Sequence, residues 1–263
     1  MSFSETWVET LQTILTSGRE VLPRGAKTRE ILHHTVEVNM RKPVLRVPER
    51  GLSYRFMAAE AFWILSGDDR VATIAPYNDR IASFSDDGER FFGAYGPKIR
   101  DQLHYVIEKL EADEDTRQAG LTIWRECPPQ TKDVPCTVAI FFNIRQRLLN
   151  CHVFMRSSDV WLGLPYDVFN FSMLGHYVCG QLNTVRRARD VVAPGQLFLT
   201  AASSHLYATN YDAAGVCVNS YRPYDQIETP ELLWVSPWTL METLKEIRGS
   251  ERGAACRWWE VGS

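Results

Sequence analysis

The sequence lacks the features that mark several large classes of protein. Its six cysteines include no Cys-x-x-Cys pair, which indicates free thiols, and its six histidines show no His-Glu-x-x-His spacing, so no metal site is predicted. No apolar run is long enough to span a bilayer, and the first residues have neither the basic start nor the apolar run of a signal peptide. The net charge is only -3, which gives no overall attraction to nucleic acids or anionic membranes. We therefore expect a cytoplasmic protein that binds neither nucleic acid nor membrane.

Linkers, internal repeats and blocks of like charge are also absent. Of the 263 residues, 45% are hydrophobic and 23% are charged, a composition that supplies a full core for one large globular domain. We predict a single domain over residues 1–263. Because the chain has no general excess of positive charge, any anionic substrate must be held by a local cluster of arginines.

Hydrophobic periodicity predicts a mixture of helices and strands. The helical segments are Ser4–Ser17, Met57–Ser66, Lys98–Glu111 and Tyr166–Leu182. The strand-like segments are Gly120–Trp124, Thr137–Ile144, Leu148–Met155 and Gln196–Ala202. The polar turn at residues 145–147 predicts a β-hairpin, which would bring Cys136 at the entry to one strand close to Arg156 at the exit of the other.

The residues that follow this hairpin carry an unusual density of functional groups: Arg156-Ser157-Ser158-Asp159-Val160-Trp161-Leu162-Gly163-Leu164-Pro165-Tyr166-Asp167. Loops between rigid elements are where recognition groups collect. Upstream, Val134-Pro135-Cys136-Thr137 places a lone cysteine at the start of an apolar strand. Together these stretches resemble the thymidylate synthase family, whose hallmarks are a Pro-Cys nucleophile and an Arg-Ser-x-Asp-x-x-Leu-Gly-Leu-Pro-x-Asn segment. Asp167 stands where thymidylate synthases have Asn, which points to the deoxycytidylate hydroxymethylase branch.

The resemblance implies an α+β thymidylate synthase-like fold, in which a large mixed or antiparallel sheet is flanked by helices and forms a dimer interface with one face. It implies that the Cys136 thiolate adds to carbon 6 of a pyrimidine nucleotide, since thiolates add to conjugated systems and leave again easily. Glu60, in a Glu-x-x-Trp setting with Trp63, would move protons, and Tyr95 would assist proton removal at carbon 5. A solvent-facing Glu60 at a helix edge is the competing interpretation. The other five cysteines are interpreted as buried structural residues, the commoner fate of a free cysteine.

The same resemblance assigns residues to the substrate phosphate. Arg156 and Ser157 would hold it, and the positive charge of Arg156 would also lower the pKa of the Cys136 thiol. Arg24 is the matching candidate in a mobile phosphate-binding loop, although its local sequence alone favours a solvated loop. Arg117 would reach the phosphate of the other subunit in a homodimer. The family has two consecutive arginines at this point, and Gln118 replaces the second.

Residues for the sugar and the folate also follow from the resemblance. His205 and Tyr207 match the family's His-x-Tyr motif, which binds the sugar hydroxyl and does not distinguish deoxyribose from ribose. Asp159 matches the folate-contacting aspartate, Gly163 the glycine that lets backbone approach the ligand, and Trp63 is assigned to the same co-substrate. That co-substrate is 5,10-methylenetetrahydrofolate, and no metal is implied.

The prediction of which pyrimidine base the protein recognises rests on Asp167. Cytosine offers N4–H2 as a donor and N3 as an acceptor, and an Asp satisfies both when one proton is shared between the acid and the ring. Protonation at N3 also makes carbon 6 more electrophilic, whereas the O4 of uracil would face a carboxylate. Because Asp is a favoured N-cap, a structural role at the start of the following helix is the alternative.

The leading hypothesis is a homodimeric enzyme that converts (d)CMP, methylenetetrahydrofolate and water into 5-hydroxymethyl-(d)CMP and tetrahydrofolate through the Cys136 adduct. Two alternatives stay open: a thymidylate synthase or dUMP hydroxymethylase that acts on uracil nucleotide, and a non-catalytic family member that only binds nucleotide. The final residues, 256–263, do not resemble the short apolar tail that covers folate in thymidylate synthases, a change that agrees with entry of water. The branch suggests phage DNA modification in the host cytoplasm, beside a ribonucleotide enzyme of antibiotic biosynthesis.

Overall fold

The computed structural model describes residues 1–184, 186 and 190–222. Within them the α-helices are α1 (Phe3–Ser17), α2 (Tyr54–Leu65), α3 (Val71–Ile74), α4 (Tyr95–Ala112), α5 (Leu164–Asn183) and α6 (Tyr211–Ser220). The strands are β1 (Arg19–Val21), β2 (Thr28–Asn39), β3 (Gly120–Thr122), β4 (Thr137–Arg145), β5 (Leu148–Met155), β6 (Ser158–Asp159) and β7 (Ala193–Tyr207). The tail at residues 256–263, and the rest of the predicted domain beyond residue 222, lie outside the described residues.

The predicted helices and strands are all present, with shifted ends. Helix α4 begins at Tyr95 rather than at Lys98. The largest change is in β7, which runs on to Tyr207 because its second half pairs with β2, up to the pair Thr28–Tyr207. His205 and Tyr207 therefore belong to a strand, and the sheet fixes their positions.

The strands form a mixed sheet of seven, in the order β1-β2-β7-β5-β4-β3, with β6 paired to β7 beside this path. Strands β5 and β6 run parallel to β7, and the other neighbouring pairs are antiparallel. A parallel pair needs a crossover connection, and α5 lies in the connection between β6 and β7. The arrangement confirms the predicted α+β fold with a mixed sheet flanked by helices.

Helix α1 supports the segment that follows β5. Its first turn is closed by a capping box, in which the side chains of Ser2 and Glu5 each accept a hydrogen bond from the other residue's backbone N–H. Trp7 is fully buried, and its Nε1 donates a hydrogen bond to the Val160 carbonyl at 2.7 Å. The rings of Trp7 and Trp161 lie 5.7 Å apart between centroids. These contacts hold Val160 and Trp161 against the helix.

Strands β4 and β5 form the predicted hairpin, with Arg145 paired to Leu148 across a two-residue turn. Gln146 and Arg147 have φ angles of 53° and 62°, the left-handed values that a type I′ turn requires. At the other end of the hairpin, the Arg156 N–H donates a hydrogen bond to the Cys136 carbonyl at 2.8 Å. The expected proximity of residues 136 and 156 is confirmed.

The two faces of the sheet have different surroundings. Val36, Val153 and Leu199 are buried on the face that packs against helices α1 and α5. On the opposite face Phe141 and Phe154 are 40% and 45% exposed, and their rings meet edge to face with centroids 6.3 Å apart. An exposed apolar cluster on a sheet often marks an interaction surface.

The described part of the chain contains no group of three His, Cys, Asp or Glu side chains arranged to hold a metal ion. In residues 1–184, 186 and 190–222, no helix combines the length and the apolar character needed to cross a membrane. Cys151, Cys179 and Cys217 are buried free thiols, but Cys127 is exposed. The interpretation of every cysteine other than Cys136 as buried is therefore wrong for Cys127, which lies in an irregular loop between β3 and β4.

The hairpin turn gives a test of the fold. We expect Arg147→Gly to stabilise the protein, because a residue with a Cβ is strained in the left-handed region and glycine is not. The free energy of unfolding in urea should rise by about 0.5–1 kcal/mol. Arg145→Gly, in the strand just before the turn, is the matched control and should lower it. Equal effects of the two variants would contradict the type I′ geometry.

Candidate active site

Two cavities open on either side of the segment that leads into β4. The larger, of about 690 Å³, has basic and hydroxyl-bearing walls that include Arg24, Glu30, Arg156, Ser157, Ser203, His205 and Tyr207. The smaller, of about 170 Å³, has carboxyl and aromatic walls that include Glu60, Trp63, Ile81, Phe84, Phe91, Tyr95, Asp133, Asp167 and Asn170. Asp133 lines the smaller cavity and Val134 the larger one, so the chain passes between them just before Cys136.

Arg156 arranges the surroundings of Cys136. Its Nε and Nη2 donate hydrogen bonds to the carbonyls of Pro135 and Val134 at 3.0 and 2.9 Å, and its Nη1 donates to Ser157 Oγ at 3.1 Å. The Ser157 hydroxyl in turn donates to Cys136 Sγ at 3.7 Å. One guanidinium thus fixes both the backbone before the thiol and the hydroxyl that contacts it.

The net pKa of the Cys136 thiol is raised, although the charge of Arg156 lowers it as expected. Burial is the largest cause; Arg156 and the Ser157 hydrogen bond oppose it, and the charges of Asp167 and Asp133 add to it. Removing a thiolate from water disfavours it more than one nearby cation favours it. At neutral pH the free protein therefore holds this residue mainly as a thiol.

Glu60 lies in the wall of the smaller cavity, so its interpretation as a solvent-facing helix edge is wrong. The Asn170 Nδ2 donates a hydrogen bond to Glu60 Oε2 at 2.7 Å. Burial raises the pKa of Glu60 to about 7, although this hydrogen bond acts in the opposite direction. A carboxyl that titrates near neutral pH both gives and takes protons readily. No sequence motif points to Asn170, but its spacing of three residues from Asp167 puts both on one face of α5.

Asp167 lies in the first turn of α5 and lines the smaller cavity. The helix begins at Leu164 with Gly163 at the N-cap position, so the N-cap alternative for Asp167 is wrong. Burial raises the pKa of Asp167 to about 8, and the charges of Glu60 and Asp159 add to this effect. At neutral pH the side chain is a neutral acid, which offers one donor and one acceptor. A Cβ on Gly163 would lie 3.3 Å from Asp167 Oδ2, so the glycine leaves the carboxyl its space.

Tyr95 reaches the smaller cavity from the start of α4. Its hydroxyl accepts a hydrogen bond from Thr137 Oγ1 at 3.1 Å, and its ring stacks on Phe171 with centroids 6.1 Å apart. Burial holds the pKa of Tyr95 well above its ordinary value, so the phenol stays protonated. Because Thr137 follows Cys136, this hydrogen bond ties the phenol to the strand that carries the thiol.

The residues assigned to folate divide into two groups. Trp63 lines the smaller cavity, edge-on to Phe91 at 5.6 Å between ring centroids, and its buried Nε1 has no acceptor among the described residues. An unpaired donor beside aromatic rings suits a flat ligand that carries ring nitrogens. Asp159 supports the loop instead: its Oδ1 accepts hydrogen bonds from the N–H groups of Trp161 and Leu162, both at 2.9 Å. Asp159 lines neither cavity, and its assignment to folate stays a prediction.

The larger cavity collects the residues predicted for phosphate and sugar. Arg24 stands in a short 3-10 turn with a left-handed φ of 51°. His205 and Tyr207 project from β7, and their rings meet edge to face at 5.2 Å between centroids. The Ser203 hydroxyl donates a hydrogen bond to Glu30 Oε2 at 2.5 Å, which adds a carboxylate that no sequence motif predicted.

Two other basic residues lie outside the walls of these cavities. Arg117 is exposed in the loop before β3 and lines neither of these cavities. Its assignment to the phosphate of a second subunit stays a prediction. Lys27 forms an exposed ion pair with Glu20 at 3.3 Å and is also absent from the cavity walls.

Comparison with known proteins identifies the family of the chain. The sequence profile of the family "Thymidylate synthase" matches residues 5–233, and the chain belongs to the thymidylate synthase family. Enzymes of this family use methylenetetrahydrofolate as their co-substrate. The chain is similar to the deoxyuridylate hydroxymethyltransferase of Bacillus phage SP01, with 30% identity over 235 residues that cover 80% of this chain. The chain spans 58% of the length of that curated relative.

The buried Asp167 carboxyl predicts a pH-dependent stability. The folded protein keeps the Asp167 proton up to about pH 8, whereas the unfolded chain releases it at about pH 4. The free energy of unfolding therefore falls as pH rises between these values. We expect Asp167→Asn, which has no charge to bury, to raise it by about 2–4 kcal/mol at about pH 8.5 and by little at about pH 4.5.

Denaturant titrations at the two pH values measure this difference. Asp212→Asn is the matched control, since Asp212 also lies in the first turn of a helix but is exposed, and it should change stability by less than about 0.5 kcal/mol. A gain from Asp167→Asn of the same size at both pH values would show that charge burial is not its cause.

Proposed function

We propose that the chain transfers a hydroxymethyl group to carbon 5 of a pyrimidine nucleoside monophosphate, using 5,10-methylenetetrahydrofolate and water. The observation that carries the proposal is the position of the Cys136 segment between a basic cavity and a carboxyl-lined one. A nucleotide that spans both would have its phosphate at Arg24 and Arg156 and its base at Asp167. The name of the phage SP01 relative, a hydroxymethyltransferase, supports water as the final reactant.

The reaction begins when the Cys136 sulfur forms a bond to carbon 6 of the base. Because burial keeps the thiol protonated, its proton must pass to the edge of the ring, where the electron pair of the double bond between carbons 5 and 6 brings negative charge. The Ser157 hydroxyl stabilises the charge that develops on sulfur. Carbon 5 then attacks the one-carbon unit that the folate supplies. Glu60, with a pKa of about 7, exchanges protons at the edge of the base, and the protonated Tyr95 assists the removal of the proton at carbon 5.

The second half of the reaction releases the product. Tetrahydrofolate departs, so that carbon 5 keeps an exocyclic methylene group. Water then adds to this methylene group. The bond between carbon 6 and the Cys136 sulfur then breaks, which restores the double bond of the ring. A smaller cavity of about 170 Å³ has room for several water molecules once the folate has gone.

Asp167 supports a cytosine nucleotide as the substrate. In its neutral form the acid donates to N3 and accepts from N4–H2. N3 of cytosine is basic, so the Asp167 proton can pass to the ring and leave a charge-assisted pair, which is stronger than a neutral hydrogen bond. The same proton makes carbon 6 more electrophilic for Cys136.

A uracil nucleotide is the second candidate, and two observations favour it. The phage SP01 relative is named for deoxyuridylate. The neutral Asp167 acid also complements uracil, by donating to O4 and accepting from N3–H, so the repulsion between O4 and a carboxylate does not operate at neutral pH. The site then distinguishes the two bases only by proton transfer to N3, which is possible for cytosine alone.

Product analysis tests both candidates. The protein is incubated with methylenetetrahydrofolate and an equal mixture of dCMP, CMP, dUMP and UMP, and the nucleotides are identified by mass spectrometry. A hydroxymethylated cytosine nucleotide supports the first candidate, and a hydroxymethylated uracil nucleotide supports the second. A methylated product would overturn the water step. Nucleotide binding without hydrogen exchange at carbon 5 would indicate a non-catalytic family member.

The role of Asp167 has its own test. In Asp167→Asn the amide offers a donor and an acceptor but no proton that N3 can take, so we expect kcat/KM for cytosine nucleotide to fall about 10- to 1000-fold relative to uracil nucleotide. Glu9→Gln, an exposed carboxyl on α1, is the control and should leave the ratio unchanged. An unchanged ratio in Asp167→Asn would show that another residue reads the base.

We also infer a homodimer through the sheet face that carries Phe141 and Phe154. On this face the His152 ring stacks on Phe198 with centroids 4.9 Å apart and bonds to Asn143 at 2.7 Å. A second copy of the face would cover these partly exposed aromatic rings, as an isologous interface requires. Arg117, exposed beside the edge strand β3, would then serve the phosphate site of the partner.

Mixing two inactive variants tests the shared site. Cys136→Ser lacks the nucleophile, and Arg117→Ala lacks the arginine that reaches across. In their heterodimer one of the two sites has both residues, so an equal mixture should regain about one quarter of the wild-type activity after subunit exchange. The control is a mixture of Cys136→Ser and Glu60→Gln. In the proposed arrangement each site takes both of these residues from a single chain, so both sites of this heterodimer lack one of them and the mixture should stay inactive. Full activity of Arg117→Ala alone would contradict a cross-subunit role.

A further inference from the structure

One carboxyl group of the smaller cavity has no part in the steps above. Asp133 precedes Cys136 by three residues and lines the cavity together with Glu60, Tyr95 and Asp167. It belongs to the segment before β4, whereas the other two carboxyls come from helices α2 and α5. It thus enters the cavity on a different element from the carboxyls already assigned to the base.

The Asp133 side chain is held in a defined orientation. Its Oδ2 accepts a hydrogen bond from the Gly93 N–H at 2.7 Å, and its own N–H donates to Thr131 Oγ1 at 3.1 Å. A Cβ on Gly93 would lie 3.0 Å from Asp133 Oδ1 and 2.4 Å from the Asp133 carbonyl oxygen. The glycine therefore leaves space for this carboxyl, and Oδ1 makes no hydrogen bond to the described residues.

The position of Asp133 has an electrostatic disadvantage. Burial raises the pKa of Asp133, and its negative charge adds to the raised pKa of the Cys136 thiol. An apolar side chain would fill the same space without opposing the nucleophile. A buried carboxyl that works against the first step is best explained by a use in a later one.

We propose that Asp133 is the general base that takes a proton from the water which adds to the exocyclic methylene group. The inference rests on the proposed hydroxymethyl transfer. Ile81, Phe84 and Phe91 form the apolar wall of the same cavity, where the folate rings would lie. Water reaches the methylene carbon from the side that tetrahydrofolate vacates, and Asp133 lies beside that wall through its contact with Gly93.

The step balances without any further reactant. The water oxygen forms a bond to the methylene carbon while Asp133 takes one of its protons. The electron pair of the exocyclic double bond moves into the ring, and the double bond between carbons 5 and 6 forms as the Cys136 sulfur leaves with its electron pair. Nothing is oxidised or reduced. Because Asp133 is neutral once it has taken the proton, it no longer opposes the thiolate that is released.

The proposal is tested by measuring how the methylene intermediate divides between reaction with water and reaction with an added thiol. Asp133→Asn keeps an oxygen that can accept from Gly93 but removes the base. We expect hydrogen exchange at carbon 5 to stay within about twofold of wild type, since it needs Cys136, Glu60 and Tyr95 but not Asp133, while hydroxymethyl product falls about a hundredfold. Added 2-mercaptoethanol, whose thiolate attacks the methylene group without help from a base, should be incorporated in place of water.

The control is Asp212→Asn. Asp212 is an exposed carboxylate in the first turn of α6 and lines neither of the two cavities. It should leave both exchange and product unchanged.

Several outcomes would overturn the assignment. Equal losses of exchange and product in Asp133→Asn and in Asp133→Glu would show a structural role, and a raised KM for the folate at unchanged kcat would show a folate contact. An unchanged ratio of water to thiol product would mean that another group activates the water. If the wild-type protein forms no hydroxymethyl product at all, the proposed function fails, and this inference fails with it.

Discussion

The burial of ionisable groups around Cys136 is the constraint on which the site depends. Glu60 and Asp167 have pKa values raised to about 7 and about 8, and the pKa values of Asp133 and the Cys136 thiol are raised as well. All four shifts have burial as their largest cause, which favours the neutral form of each group. The neutral Asp167 acid and the neutral Cys136 thiol therefore lessen the repulsion among the ionisable groups in and beside the smaller cavity. Both of these groups become charged only when a proton moves during the reaction.

Residues far away in sequence hold the walls of this cavity in place. Trp7 of α1 anchors the Val160 carbonyl, and the Arg50 guanidinium donates two hydrogen bonds to the Trp161 carbonyl while it lies 4.7 Å over the Trp161 ring. Both contacts fix the segment that runs from Arg156 to the start of α5. Because that segment carries residues for both cavities, its rigidity keeps the two at a constant separation.

The sequence predicts the parts of the site that depend on local pattern. Alternating apolar residues and a polar turn predict the β4–β5 hairpin, and the hairpin brings Cys136 to Arg156. Local sequence pattern does not predict contacts between residues that are far apart in the chain. The hydrogen bond from Asn170 to Glu60 joins helices that are 110 residues apart in sequence, and the continuation of β7 to Tyr207 depends on its pairing with β2. The direction of the Cys136 pKa shift was also out of reach, because the charge of Arg156 can be read from the sequence but the depth of burial cannot.

The raised pKa of Asp167 also changes the meaning of its difference from the family's asparagine. A neutral acid and an amide both present one donor and one acceptor, so the replacement has little effect on an incoming base until a proton moves. Proton transfer to N3 of cytosine creates a negative Asp167 beside a positive ring. An ionised Glu60 nearby opposes the negative Asp167 but attracts the protonated ring, so its charge acts on both members of the pair. The choice between cytosine and uracil is thus set by the charge state of the whole cavity, of which residue 167 is one part.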